Sequence, residues 1–124
     1  MGRYYSGDIE GKLWFGVQSS NDADKFGVMG KQPMELRYYF DKTNLPDINS
    51  GIKKCKTELK EFKKKIDDYL KNNMGYNSPV LAKHLNIPEK DLDYYLQIYA
   101  RLELGNKILD CVKTTGHCEF TAEL

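Results

Sequence analysis

The sequence predicts an α+β domain: an antiparallel sheet of three to four strands with a helical hairpin, two long helices plus one short, packed on one face. Three observations carry that expectation. Residues 9–18, 35–40 and 117–124 alternate apolar and polar side chains, the period of a strand with one buried face. Apolar residues from Leu45 to Tyr69 recur every three or four positions, the period of an amphipathic helix. The chain of 124 residues has the length of one domain, 1–124, and no linker, repeat or low-complexity tract divides it.

Taken in order, Tyr4-Tyr5 begins a first strand. In the second, Ile9, Leu13, Phe15 and Val17 share one face, and Lys12, Trp14, Gly16 and Gln18 share the other. Residues 19–34 carry Gly27, Gly30 and Pro33 and read as a loop, with Ser20 capping a short helical turn through Lys25. A loop of that length is more often functional than decorative. In the next strand Leu36, Tyr38 and Phe40 point inward, while Glu35, Arg37 and Tyr39 point outward.

Asn44 then stands at an N-cap position, with Pro46 in the first helical turn. Leu45, Ile48, Ile52, Cys55, Leu59, Phe62, Ile66 and Tyr69 form one unbroken stripe, so a single helix is expected to run on to Asn72-Asn73-Met74-Gly75. Ser78-Pro79 opens a short helix, with Ser78 as its cap and Pro79 in the first turn, that Asn86 stops. A longer helix is expected from Pro88 to Val112, with a bend at Gly105. Its apolar residues surround most of the circumference, which predicts a central place between the sheet and the lysine-rich helix. The last strand turns Cys118, Phe120, Ala122 and Leu124 inward and completes the sheet.

Nineteen basic residues oppose eighteen acidic ones, so no global field drives the chain onto nucleic acid or an anionic membrane. The start Gly2-Arg3-Tyr4-Tyr5-Ser6 is neither a signal peptide nor a membrane span, and Gly2 with Ser6 matches a myristoylation pattern too short to outweigh an ordered strand. Three cysteines, an odd count without a secretory signal, predict reduced thiols and a cytoplasmic setting, possession of a membrane anchor being unexpected. Cys55 lies on the apolar stripe and reads as a small buried hydrophobe.

Chemical motifs are sparse. Leu81-Ala82, Leu85, Ile87-Pro88, Leu92 and Leu96 have the spacing of a helix-turn-helix over residues 79–96. Its second helix opens on Glu89, Asp91 and Asp93, acids that repel a phosphate backbone. The lysine face, with Lys60, Lys63 and Lys64, is the basic patch, but glutamates and aspartates interleave with it as on a solvated helix. Cys111, Cys118 and His117 lack the close paired spacing of a zinc site, and His117 and Cys118 face opposite ways on a strand. No catalytic constellation, metal site or cofactor-binding motif is expected, and Gly27-x-x-Gly30-Lys31 lacks the spacing of a phosphate-binding loop.

Two stretches carry a likeness. Gly2-Arg3-Tyr4-Tyr5-Ser6-Gly7-Asp8-Ile9-Glu10-Gly11-Lys12, continued by Trp14-Phe15-Gly16-Val17-Gln18-Ser19-Ser20, resembles the opening of small uncharacterised proteins encoded by large DNA viruses, phages and related environmental sequences. The segment Tyr99-Ala100-Arg101-Leu102-Glu103-Leu104-Gly105 and the final strand resemble the same group. The resemblance covers about a third of the chain and implies a viral or mobile-element origin, with no activity attached.

The functional expectation is a non-enzymatic, homodimeric binding module for a host protein or a small polar, nucleotide-like ligand. Nine tyrosines and the long loop motivate it, since tyrosine joins an apolar ring to a polar tip and suits contact surfaces. The expected contact residues are Trp14, Gln18, Arg37 and Tyr39 on an outer sheet face, with Asp22, Asp24 and Phe26 from the loop. The alternative is nucleic-acid binding through Lys60, Lys63 and Lys64 or the helix-turn-helix-like segment, and it is not favoured.

Overall fold

The computed structural model describes residues 3–14, 16–30, 35–73 and 75–123. The expectations made for Gly2, Phe15, Pro33, Met74 and Leu124 lie outside these residues. The strands are β1 (Arg3–Gly7), β2 (Gly11–Leu13), β3 (Glu35–Asp41) and β4 (His117–Glu123). The helices are α1 (Leu45–Leu59), α2 (Phe62–Asn72), α3 (Ser78–Leu85) and α4 (Glu89–Thr115). The fold is the expected α+β architecture, with an antiparallel sheet in the order β2-β1-β4-β3. The C-terminal strand therefore enters the middle of the sheet, with Phe120 opposite Gly7 on one side and Tyr38 on the other.

The inward parity of the strands matches the sequence pattern. Leu36, Tyr38, Phe40, Cys118, Phe120 and Ala122 are buried, and α4 lies across that face with α1 on its far side. The rings of Tyr38, Phe40 and Phe120 stack at centroid separations of 5.3–6.2 Å, the aromatic centre of the core. Arg37 and Tyr39 stand on the opposite, open face, where Tyr39 lies over the ring of His117. No described helix is long and apolar enough to cross a membrane.

Five local expectations are corrected. The second strand stops at Leu13, because residues 14–18 turn: the Trp14 carbonyl accepts from the backbone N–H groups of Val17 and Gln18, and Gly16 takes φ 80°. Asn77, one residue before Ser78, caps α3 by accepting from the Val80 N–H at 3.3 Å. At the start of α1, Asp41 and Asn44 form a reciprocal cap around a 3₁₀ turn rather than Asn44 capping the helix itself.

The fourth correction is the largest. The long lysine-rich helix is two helices, interrupted at Lys60, whose backbone sits at φ 51° and ψ −131°. That turn redirects α2 so that Ile66 stays buried, Phe62 meets Tyr95 of α4, and Tyr69 meets His84 of α3. Asp67 ties the same helix to α4, accepting from Tyr99 and from Lys63. Only glycine adopts the Lys60 conformation without steric cost, which for other residues is about 1–3 kcal/mol. Replacing Lys60 with glycine gives the unfolded chain more freedom, at a cost below about 1 kcal/mol. The net expectation is a gain of about 1 kcal/mol for Lys60→Gly, read as a raised urea midpoint at unchanged slope.

Helix α4 passes Gly105 as regular helix to Thr115, so the glycine is not a bend. A Cβ there would lie 2.5 Å from Cε1 of Phe26 and 3.1 Å from Cγ1 of Ile52. Gly105 is a notch that admits the Phe26 ring between α1 and α4.

Candidate functional site

Phe26 ends a 3₁₀ turn, Asp22–Phe26, that the loop after β2 lays against α1 and α4. Seated in the Gly105 notch and fully buried, it is part of the core and not a contact residue. Gly51 allows the same approach from α1, since a Cβ there would sit 2.7 Å from the Phe26 ring and 2.9 Å from the Lys25 carbonyl. These two glycines bring the turn close enough for its polar residues to meet both helices.

Asp22 opens the turn and is 2% exposed. A carboxylate so buried requires partners for both oxygens. Arg101 Nε donates to Oδ1 at 2.7 Å, and Gln18 Nε2 donates to Oδ2 at 2.9 Å. Gln18, itself 4% exposed, accepts from the Trp14 backbone N–H at 3.0 Å. Trp14, Gln18, Asp22 and Arg101 therefore form one continuous hydrogen-bonded line from the end of β2 to the middle of α4. Asp24 serves the turn in another way, accepting from Tyr38 Oη and from the Gly30 N–H at 3.0 Å. Burial, reinforced by that carboxylate, raises the Tyr38 phenol far above its ordinary range and keeps it a donor.

Of the expected contact residues, Gln18, Asp22 and Phe26 are thus inside the protein. Trp14 is not on the outer sheet face with Arg37 and Tyr39; its indole lies beside Tyr99 of α4, with the Tyr76 ring nearly parallel to it at 6.2 Å. The physical reason is the turn at 14–18, which ends the alternation that had placed Trp14 and Gln18 outside. Lys63 is paired with Asp67 at 2.6 Å, Lys60 sits at the helix break, and Lys64 is exposed. In the helix-turn-helix-like segment, Asn86 in left-handed conformation turns α3 into α4, and Glu89, Asp91 and Asp93 are exposed at the start of α4.

The arrangement of Asp22 produces a feature beyond the expected residues. Arg101 spends its Nε on Asp22, which fixes the plane of a guanidinium that has four further N–H donors. Arg101 lines a cleft of about 230 Å³ together with Lys25, Gly51, Lys54, Cys55 and Glu58. Lys25 comes from the turn, Arg101 from α4 and the rest from one face of α1, at the three- and four-residue spacing of a helix surface. Lys25, Lys54 and Arg101 are opposed by Glu58 and by the Asp22 that holds Arg101, which leaves one net positive charge, so the cleft favours anions weakly although the whole chain is nearly neutral.

The floor of the cleft is chemically quiet. Burial pushes the Cys55 thiol up to about 11, against the opposing pull of Arg101. At pH 8 about one thousandth of such a thiol is ionised, against about a quarter of a thiol titrating near 8.5. Cys55 in the native protein is expected to react with iodoacetamide at least a hundredfold more slowly than in the urea-unfolded chain. Comparable rates at pH 8 would show that the thiol is open and ionised.

No family model matches the chain, and no curated protein or solved structure is found similar to it. The function is therefore read from the cleft itself. Arg101 was legible in outline, as the only basic residue between Lys90 and Lys107 on a mostly apolar helix. Lys25 and Lys54 carried no signal among the other lysines.

Proposed function

We propose that the protein is a non-enzymatic binding module for a small oxyanion, phosphate or the phosphoryl end of a larger ligand, held in the cleft between the Asp22–Phe26 turn, α1 and α4. The observation that supports this most is Arg101, locked in orientation by a buried Asp22 and lining an otherwise lysine-bearing cleft. A fixed guanidinium fork matches phosphate and carboxylate oxygens, and two ammonium groups add charge without demanding geometry. Pre-orientation also lowers the entropic cost of capture.

Size narrows the class. A volume of about 230 Å³ is below the usual range for a drug-sized ligand and equals roughly eight waters. A tetrahedral oxyanion fits inside, and the remainder of a nucleotide-like ligand lies outside. The lining offers no reactive nucleophile, since Cys55 is held protonated. Binding without chemistry is the economical reading.

A ligand that binds only the folded state raises stability by about 2.7 kcal/mol at a hundredfold excess over its dissociation constant. Adding inorganic phosphate in place of chloride at matched ionic strength is expected to raise the thermal midpoint by several degrees. A variant carrying Lys25→Ala and Lys54→Ala should lose most of that rise. Phosphate also stabilises proteins by exclusion from their surfaces, so an equal rise in the double variant would contradict the proposal.

A further inference from the structure

Trp14 and Tyr76 make a second concavity, distinct from the cationic cleft. Trp14 is half-buried, and its backbone is fixed three times: its carbonyl accepts from Val17 and Gln18 at 3.2 and 2.9 Å, and its N–H donates to Gln18 at 3.0 Å. Tyr99 supports the indole from the protein side, with centroids 5.9 Å apart at 60°. Tyr76, from the connection between α2 and α3, stands nearly parallel to the indole at 20° and 6.2 Å away. Beside the pair lies a cavity of about 320 Å³ lined by Lys12, Leu13, Trp14 and Tyr76.

The contrast between the two rings is informative. A separation of 6.2 Å is at the wide end of aromatic pairing, so the rings are aligned without close contact. The indole is rigid, whereas Tyr76 is 38% exposed and follows Gly75, which has no other heavy atom near the position of a Cβ. Tyr76 can therefore shift to admit a flat ring, exchanging one loose stack for two closer ones. Lys12 supplies a cation at the edge of the same cavity.

We propose that Trp14 and Tyr76 form a clamp for a planar aromatic ring, with Lys12 meeting an anionic substituent on it. The site does not depend on the oxyanion cleft, from which it shares no lining residue.

Trp14 is the only tryptophan, so its indole N–H gives a single isolated signal in a ¹⁵N–¹H correlation spectrum. The probe is 2-naphthoate, a planar aromatic anion, with cyclohexanecarboxylate as a puckered anion of equal charge. The expected result is a saturable shift of the Trp14 indole signal with 2-naphthoate and little shift with cyclohexanecarboxylate. Tyr76→Ala, with its helical circular dichroism intact, should weaken binding at least tenfold, Lys12→Ala should weaken it several-fold, and Lys54→Ala should leave it unchanged. No saturable shift at millimolar probe, equal shifts with both anions, or undiminished affinity in Tyr76→Ala would overturn the clamp. Loss of binding in Lys54→Ala would place the probe in the oxyanion cleft and overturn it equally.

Discussion

Replacing Asp22 with alanine is expected to destabilise the fold by about 3–5 kcal/mol, the cost of leaving one partner of a buried ion pair without the other. The loss falls on Arg101, whose Nε would keep no acceptor at 2.7 Å, and on Gln18, whose amide would lose its 2.9 Å contact. Against a total stability of about 5–15 kcal/mol for a domain, Asp22→Ala is close to an unfolding substitution. Urea denaturation at pH 7 measures it. The pair also separates stability from function. Exchanging both charges for apolar residues, Asp22→Leu with Arg101→Met, should cost far less than Asp22→Ala, because a buried pair is often replaced by apolar packing at little cost. That double variant should nonetheless bind no phosphate. A stable double variant that still bound phosphate as wild type would remove Arg101 from the site.

The second large effect is expected at Gly105. Placing valine there drives a Cβ to 2.5 Å from the Phe26 ring and 3.1 Å from Ile52. Overpacking of that kind costs about 1–3 kcal/mol and outweighs the gain of removing glycine from a helix, which is below about 1 kcal/mol. Gly105→Val should thus destabilise by about 2 kcal/mol, and Phe26→Leu in the same chain should return part of the loss. A double-mutant cycle should give a coupling of about 1 kcal/mol between the two positions. Additive effects would mean that Phe26 does not occupy the notch. Since Phe26 follows Lys25 directly, Gly105→Val should also weaken anion binding by displacing one wall of the cleft.

The strands and the central helix were legible because their signals are local. Leu36, Tyr38 and Phe40, like Cys118, Phe120 and Ala122, declare a buried face by parity alone. The break at Lys60 was hidden, because Leu59, Phe62 and Ile66 keep helical spacing across it and lysine carries no preference for φ 51°. The early end of β2 was masked by a coincidental alternation at Val17 and Gln18, although Gly16 hinted at the turn. Gly105 was misread because a helical glycine looks like weakness in sequence and reveals a close neighbour only in three dimensions. The same limit concealed the site. Asp22 and Arg101 are 79 residues apart, and nothing local says that a loop aspartate will be buried against a helical arginine. The loop places Gln18, Asp22 and Phe26 in the interior, where they hold the turn against α1 and α4.

In the proposed site an arginine held by Asp22 joins Lys25 and Lys54 to bind a small oxyanion. Isothermal titration calorimetry with inorganic phosphate at pH 7 and low salt, on wild type and on the Lys25→Ala, Lys54→Ala variant, tests it most directly. A saturable one-to-one isotherm is expected for wild type, weakened at least tenfold in the variant whose fold is intact. No saturable binding to wild type, or an identical isotherm in the variant, would contradict it.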